Sequence, residues 1–203
     1  MSIKLTPTPI MRKKSTKPQL MWGLTKPEIR SKILLKLNSQ KEEERGQKSK
    51  IIKEKLFKIG DFNKAKVVMF YIALGGEVET KEMIKEARKL GKIIAVPICK
   101  KDRISIRPCI LDENARLKRS IYGVYEPMTE KTLHLEDLDL VIVPGIAFDK
   151  KGNRLGRGKG CYDNFLKKIP KDTPTIGLAF GFQILPNLPT TIQDARVNKV
   201  IFA

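Results

Sequence analysis

The stretch VIVPGIAFDKKGNRLGRGKGCYDNFLKKI, Val141 to Ile169, joins three textures. Leu140 to Val143 reads as a strand buried on both faces, Pro144-Gly145 turns the chain, and Tyr162 to Lys168 has the pattern of a helix. Between Ile146 and Gly160 lie four glycines, two arginines and three lysines. A strand that delivers a glycine-rich loop to a helix belongs to an α/β fold, where ligands collect at the carboxyl ends of strands. Glycines let backbone N–H groups converge on an anion, and a helix start adds its own N–H groups and positive dipole end. Arg154, Arg157 and Lys159 supply counter-charge. The stretch therefore reads as a phosphate cradle, though not a standard one. Gly160 follows Lys159 where a P-loop has Ser or Thr, and the dinucleotide fingerprint spacing is absent. A basic surface loop, the plainer alternative, explains the glycines and lysines but not the flanking strand and helix.

Working outward, the same alternation recurs. Val67 to Ile72 reads as a buried strand, Lys81 to Leu90 as a helix stopped by Gly91, and Lys92 to Ile98 as a second strand. Arg103 to Pro108 alternates like a half-exposed strand, and Thr175 to Ala179 and Lys199 to Phe202 read as further strands. Upstream, Thr25-Lys26-Pro27-Glu28 forms a capping box ahead of Ile29, Ile33 and Leu37 on one helical face. A second box, Ser39-Gln40-Lys41-Glu42, predicts a longer helix with the stripe Ile51, Ile52, Leu56, Ile59 and a C-cap at Gly60. The expectation is a three-layer α/β/α single domain with a mostly parallel sheet, preceded by two N-terminal helices. It spans residues 25–203 and follows a disordered basic extension over residues 1–24.

That extension sets limits on location. Met1 to Lys26 holds six basic residues, no acidic one and no periodic apolar pattern. With a single arginine it departs from an organelle-targeting peptide, so a cytoplasmic protein is expected, with targeting as the alternative. No apolar run approaches the roughly 20 residues of a membrane span. Cys99, Cys109 and Cys161 are odd in number and widely spaced, which points to a reducing compartment. The net charge of +19 favours anionic partners, although lysines scattered along the helices account for much of it as a solvated surface.

Two carboxylates stand near the cradle. Asp163 falls in the first turn of the predicted helix, and Asp194 precedes the last strand. Each is a candidate Mg²⁺ ligand beside bound phosphates, with a helix cap as the alternative for Asp163. At the end of the first strand, YIALGGEVET frees the backbone at Gly75-Gly76, and Thr80 is placed to cap the next helix. On an extended segment Glu77 and Glu79 share one face.

Pro144 to Leu166 resembles the hallmark of the 5-formyltetrahydrofolate cyclo-ligase family, also called methenyltetrahydrofolate synthetases. KPEIR, YIALGGEVET, YGVYEP (Tyr122 to Pro127), and IGLAFGFQ leading to QDARVNKVI agree in order and spacing. The resemblance covers about Lys26 to Phe202. It implies ATP-dependent cyclisation of 5-formyltetrahydrofolate, polyglutamylated or not, to 5,10-methenyltetrahydrofolate, with release of ADP and phosphate and a requirement for Mg²⁺. Formyl-oxygen phosphorylation followed by N10 attack is the implied route. By resemblance, ATP is bound by Lys26, Arg30, Arg154, Leu155, Gly156, Arg157, Gly158, Lys159, Gly160, Cys161 and Tyr162. The folate meets Ile72, Glu77 and the segment Arg157, Gly158, Lys159, Gly160 and Cys161. Arg157, Lys159 and Tyr162 are the implied catalytic residues, and Asp163 and Asp194 the implied Mg²⁺ positions. Glu77 suits a role as acceptor from the donor-rich pterin.

Three positions depart from the family pattern: Cys161 stands where Tyr is usual, Asn164 where Arg is frequent, and Gln193 where many members have His. The change at Cys161 removes an aromatic wall and bears on affinity more than on reaction class. Lys159 varies between Lys and Gly in the family, and His134 lies outside every motif. Two other functions compete with this reading. A basic nucleic-acid-binding protein would account for the charge, but aromatic residues make up only 6% and no recognition motif appears, so no nucleic-acid partner is expected. Another phosphotransferase, or a sugar-phosphate isomerase on a related scaffold, would leave Lys26, Arg30 and the Glu77 loop without roles. A monomer is the expected state.

Overall fold

The structure, a computed structural model, describes residues 23–99, 104–120, 123, 125–128 and 131–203. Most of the expected extension over residues 1–24, together with Arg103 and Tyr122, lies outside them. Three helices come first: α1 (Lys26–Asn38), α2 (Glu42–Phe57) and α3 (Gly60–Lys64). Then follow β1 (Val67–Met69), α4 (Lys81–Lys89), β2 (Ile93–Cys99), β3 (Ile106–Ile110), β4 (Leu117–Arg119), β5 (Tyr125–Pro127) and β6 (Leu140–Val143). The chain closes with β7 (Ala147–Asp149), β8 (Arg154–Leu155), α5 (Cys161–Leu166), β9 (Thr175–Ala179), β10 (Ile184–Leu185) and β11 (Lys199–Phe202).

The main sheet has the order β11-β9-β6-β1-β2-β3, parallel except for the antiparallel edge strand β3. Residue alternation divides its side chains between two cores. Val68, Ile94, Leu140, Ile142, Ile176 and Leu178 pack with Ile29, Ile33, Ile52, Phe62 and Met83 of the first four helices. Met69, Ala95, Val141, Val143 and Ala179 share the opposite core with Phe165 and Ile169 in and just after α5. The α/β/α expectation holds, with, among the described residues, four α-helices on one face and a single short one on the other. The chain steps from β1 outward to β2, then returns to β6 on the other side of β1. That reversal is a topological switch point, where the loops leaving β1 and β6 diverge and open a crevice.

Some boundaries differ from the sequence reading. The capping box at Thr25 forms, with the Thr25 N–H donating to Glu28 Oε2 at 2.8 Å. The second box does not: Ser39 caps the C-terminus of α1, its Oγ donating to Lys36 O, so Lys41 becomes the N-cap of α2. The buried face of α2 is Ser49, Ile52 and Leu56, while Ile51 turns outward because it lies off the i, i+3, i+4, i+7 stripe. Gly60 opens α3 and does not cap α2, so three helices precede β1. Strand β1 ends at Met69; the Phe70 N–H still donates to Ala95 O of β2 at 2.9 Å, and the chain then leaves the sheet at the switch point. The strand expected from Arg103 begins at Ile106.

The segment after β6, read as one loop, contains the β7–β8 hairpin, to which β10 adds in parallel. Its turn is built by Asp149, whose Oδ1 accepts from the N–H groups of Lys151 (2.9 Å) and Asn153 (3.0 Å). Gly152 sits at φ 81° in that turn, and a Cβ there would lie 2.2 Å from Val197 O. Only glycine meets both demands.

Candidate active site

The crevice is a cavity of about 740 Å³. One wall is the first turn and a half of α1, with Lys26 and Arg30; a second is the segment after β1, with Tyr71, Ile72, Leu74 and Glu77. A third runs from Arg154 to Asn164 through β8, the glycine loop and the start of α5, and the loop at Gln193 and Asp194 closes one side. The far wall is more apolar: Pro97, Cys99, Ile104 and Ile106, with Glu126 from β5. Every residue that the sequence singled out for ATP, folate or metal lines this one space, although the positions span Lys26 to Asp194. Cys161, Asn164 and Gln193, the departures from the family pattern, line it too.

Charge inside the cavity is arranged in pairs. Lys26 Nζ donates to Asp194 Oδ1 at 2.8 Å across 168 residues of sequence. Asp194 Oδ2 also accepts from the Thr191 N–H at 2.6 Å. Burial would raise the Asp194 carboxyl pKa, but the Lys26 hydrogen bond and charge, with the Thr191 donors, outweigh it and hold it below the usual range. Arg154, in β8, donates through Nη2 to Asp163 Oδ1 at 2.9 Å, and the same oxygen accepts from Ala195 N–H at 3.2 Å. Arg157 donates to Glu77 Oε1 from Nη2 (2.8 Å) and Nε (3.3 Å), while Glu77 Oε2 accepts from Leu74 N–H at 3.0 Å. Arg30 Nε donates to Gly156 O at 2.8 Å, tying α1 to the loop. The counter-charge read from the loop is thus real, and Arg154 and Arg157 already hold carboxylates.

The loop ends at Gly160, the N-cap of α5, in the left-handed region at φ 71°. Tyr162 follows, its ring centroid 5.6 Å from the Arg154 guanidinium carbon in a cation–π contact. Its hydroxyl and Arg154 Nε are buried with no hydrogen-bond partner. Burial pushes the Tyr162 phenol far above its ordinary pKa, and the Arg154 charge offsets this only in part. Tyr162 is therefore an O–H donor at neutral pH that lacks an acceptor among the described residues.

Glu79 behaves differently from Glu77. The chain turns at Gly75 and is not extended, so Glu77 enters the cavity while Glu79 pairs with Arg45 of α2 at 2.7 Å. Thr80 occupies the N-cap of α4, but its Oγ1 donates to Tyr71 O at 2.6 Å and makes no cap bond. His134 is exposed. For a metal, no cluster of three or more His, Cys, Asp or Glu side chains exists among the described residues. Asp194 uses both oxygens on Lys26 and Thr191, whereas the bonds to Asp163 fall on Oδ1 and leave Oδ2 available. A site with one open carboxylate fits Mg²⁺ held mainly by phosphate oxygens and water. Sequence reasoning missed Tyr71, Leu74, the apolar wall and Glu126; of these, Glu126 had a cue in YGVYEP.

A model of the 5-formyltetrahydrofolate cyclo-ligase family matches residues 23–203. A mouse protein named 5-formyltetrahydrofolate cyclo-ligase is 31% identical over 185 residues, 86% of this chain and 91% of its own. The NMR structure of Aquifex aeolicus 5,10-methenyltetrahydrofolate synthetase superposes with a TM-score of 0.77 at 33% identity, covering 88% of this chain and 90% of that one. A Mycoplasma pneumoniae 5,10-methenyltetrahydrofolate synthetase has the same fold, with a TM-score of 0.72 at 22% identity over 88% of this chain and 98% of its own.

Proposed function

The chain belongs to the 5-formyltetrahydrofolate cyclo-ligase family, and from that premise we propose that it uses ATP to close 5-formyltetrahydrofolate to 5,10-methenyltetrahydrofolate, releasing ADP and phosphate. The observation that most supports this reading is the gathering of Lys26 and Arg30, the loop from Arg154 to Tyr162, and Ile72 and Glu77 around one cavity. The formyl oxygen attacks the γ-phosphorus, forming an O–P bond as the bond to ADP breaks. N10 then adds to the formyl carbon and loses its proton. The C–O bond breaks, the oxygen departs with phosphate, and the methenyl bridge remains. An amide oxygen is a poor leaving group until it is phosphorylated, so the protein's task is positioning and charge neutralisation.

In this reading Lys26, Arg30, Arg157 and Lys159 face the polyphosphate together with the backbone of Gly156, Gly158 and Gly160. Arg154 is buried, so it acts by fixing Asp163 and the Tyr162 ring. The Tyr162 hydroxyl donates to an oxygen of the phosphoryl group in flight. Ile72 and Glu77 hold the folate, and Cys161 borders both substrates. Asp163 Oδ2, with Asp194 nearby, would hold Mg²⁺, which neutralises phosphate charge when bound. The ion pairs must then exchange: cations leave carboxylates for phosphate, and carboxylates turn to metal or folate donors. We place the reaction in the cytoplasm, in keeping with the sparse, widely spaced cysteines. The test is the appearance of methenyltetrahydrofolate absorbance with purified protein, 5-formyltetrahydrofolate, ATP and Mg²⁺. Product formation that needs ATP supports the reading, and absence of product at all substrate concentrations refutes it. Arg157→Ala and Asp163→Ala should each lower turnover strongly without unfolding the protein.

A further inference from the structure

Glu126 lines the cavity yet has no part in the ion pairs described above. It lies in β5, opposite Lys118 of β4, and is only 6% exposed. Its Oε1 accepts from the Cys99 N–H at 3.2 Å, which anchors the β4–β5 hairpin to the end of β2. Among the described residues no other donor reaches this carboxylate, and no cation pairs with it. Pro97, Ile104 and Ile106 line the same cavity. A buried carboxylate needs N–H donors, and an ionised one has about four lone-pair sites, of which the described residues fill one. Glu77 differs: Arg157 and Leu74 already occupy both of its oxygens.

Resting on the folate reading, we infer that Glu126 is the specificity-determining acceptor for the pyrimidine edge of the pterin. That edge presents two adjacent donors, the 2-amino group and N3–H, which match a carboxylate whose orientation is fixed through one oxygen. The reduced ring then lies against Pro97, Ile104 and Ile106, and the N5-formyl group points back toward the glycine loop. Glu77 is left to serve donors nearer the reacting end and to position Arg157.

The experiment compares wild type with Glu126→Gln, using 5-formyltetrahydrofolate and its 2-desamino analogue in the turnover assay. Binding of a non-hydrolysable ATP analogue and the circular dichroism spectrum report folding. The expected result is a KM for 5-formyltetrahydrofolate raised about 10- to 100-fold in Glu126→Gln, with ATP-analogue affinity unchanged within about twofold. Wild type should disfavour the 2-desamino analogue by a comparable factor, and Glu126→Gln should lose most of that discrimination. An unchanged KM in an active variant, or wild type that accepts the analogue as readily as the substrate, overturns the inference alone. The analogue arm needs no variant, so it decides even if Glu126→Gln misfolds. Wild type that forms no product overturns the folate reading and the inference with it.

Discussion

Replacing Glu77 with Gln should tighten ATP binding while weakening use of the folate. Arg157 gives two hydrogen bonds to Glu77 Oε1, and it must surrender them to reach a phosphate. The Arg157 side chain is 46% exposed and that of Glu77 is 9% exposed. Water therefore screens one partner, and the full Coulomb energy of a buried pair does not apply. Exposed pairs contribute about 0.2–1 kcal/mol, and the burial of Glu77 puts this one near the upper end, about 1 kcal/mol. Removing that competing interaction corresponds to about a fivefold lower Kd for ATP. Titration calorimetry with a non-hydrolysable ATP analogue measures it, and Glu79→Gln is the control. That variant makes the same change in net charge two residues away, at a carboxylate paired with Arg45 outside the cavity, and should shift the Kd by less than about twofold. ATP affinity unchanged or weakened in a folded Glu77→Gln, or tightened equally in Glu79→Gln, would refute the exchange argument.

Other consequences can be tested singly. The Asp194 pKa is lowered in the folded chain, so its stabilisation is present above the unfolded value of about 3.9 and is lost as pH falls through the lower folded value. The stability gap between wild type and Asp194→Asn in urea melts should accordingly be widest near neutrality and close in acid. Tyr162→Phe removes a buried hydroxyl that has no partner among the described residues, so its Tm should equal or exceed that of wild type. Its turnover should nonetheless fall at least about tenfold if the hydroxyl serves the phosphoryl group. Gly152→Ala meets both a positive φ and a backbone oxygen 2.2 Å from the new Cβ, and chemical denaturation should show a loss above about 2 kcal/mol.

Much of this architecture is legible in local patterns because β6 and β9, in the middle of the main sheet, are short and buried on both faces. Leu140 to Val143 and Thr175 to Ala179 are wholly buried, and such strands appear as continuous apolar runs with little ambiguity. The glycine loop is legible for a similar reason: backbone demands leave their mark on residue type. Pairing is what a linear reading leaves out. Nothing near Arg157 in sequence points to Glu77, 80 residues away, and nothing near Lys26 points to Asp194. The second capping box failed because Ser39 was already engaged by the preceding helix, a competition invisible to a motif considered alone. Glu126 went unassigned because its setting is made by β4, its pairing partner, and by Cys99 at the end of β2, both distant in sequence from anything that marks a site.

These pairings change what the charge of +19 means for function. Composition suggests a basic protein that attracts anions, yet among the described residues the cavity wall carries five cations, Lys26, Arg30, Arg154, Arg157 and Lys159, against four carboxylates, Glu77, Glu126, Asp163 and Asp194. That described lining is close to neutral, so most of the excess charge lies outside it and attracts anions without distinguishing among them. A nearly neutral site built from separable ion pairs discriminates in another way. A simple polyanion could take up the cations, but it would strand the carboxylates in a partly buried space, and an uncompensated buried charge is costly. The occupants that satisfy both sets together bring phosphate oxygens for the cations and a divalent metal and N–H donors for the carboxylates. A magnesium nucleotide beside a donor-rich pterin meets that requirement, whereas nucleic acid would answer only the surface charge. The two substrates should therefore bind with positive coupling, because each relieves part of the pairing that opposes the other.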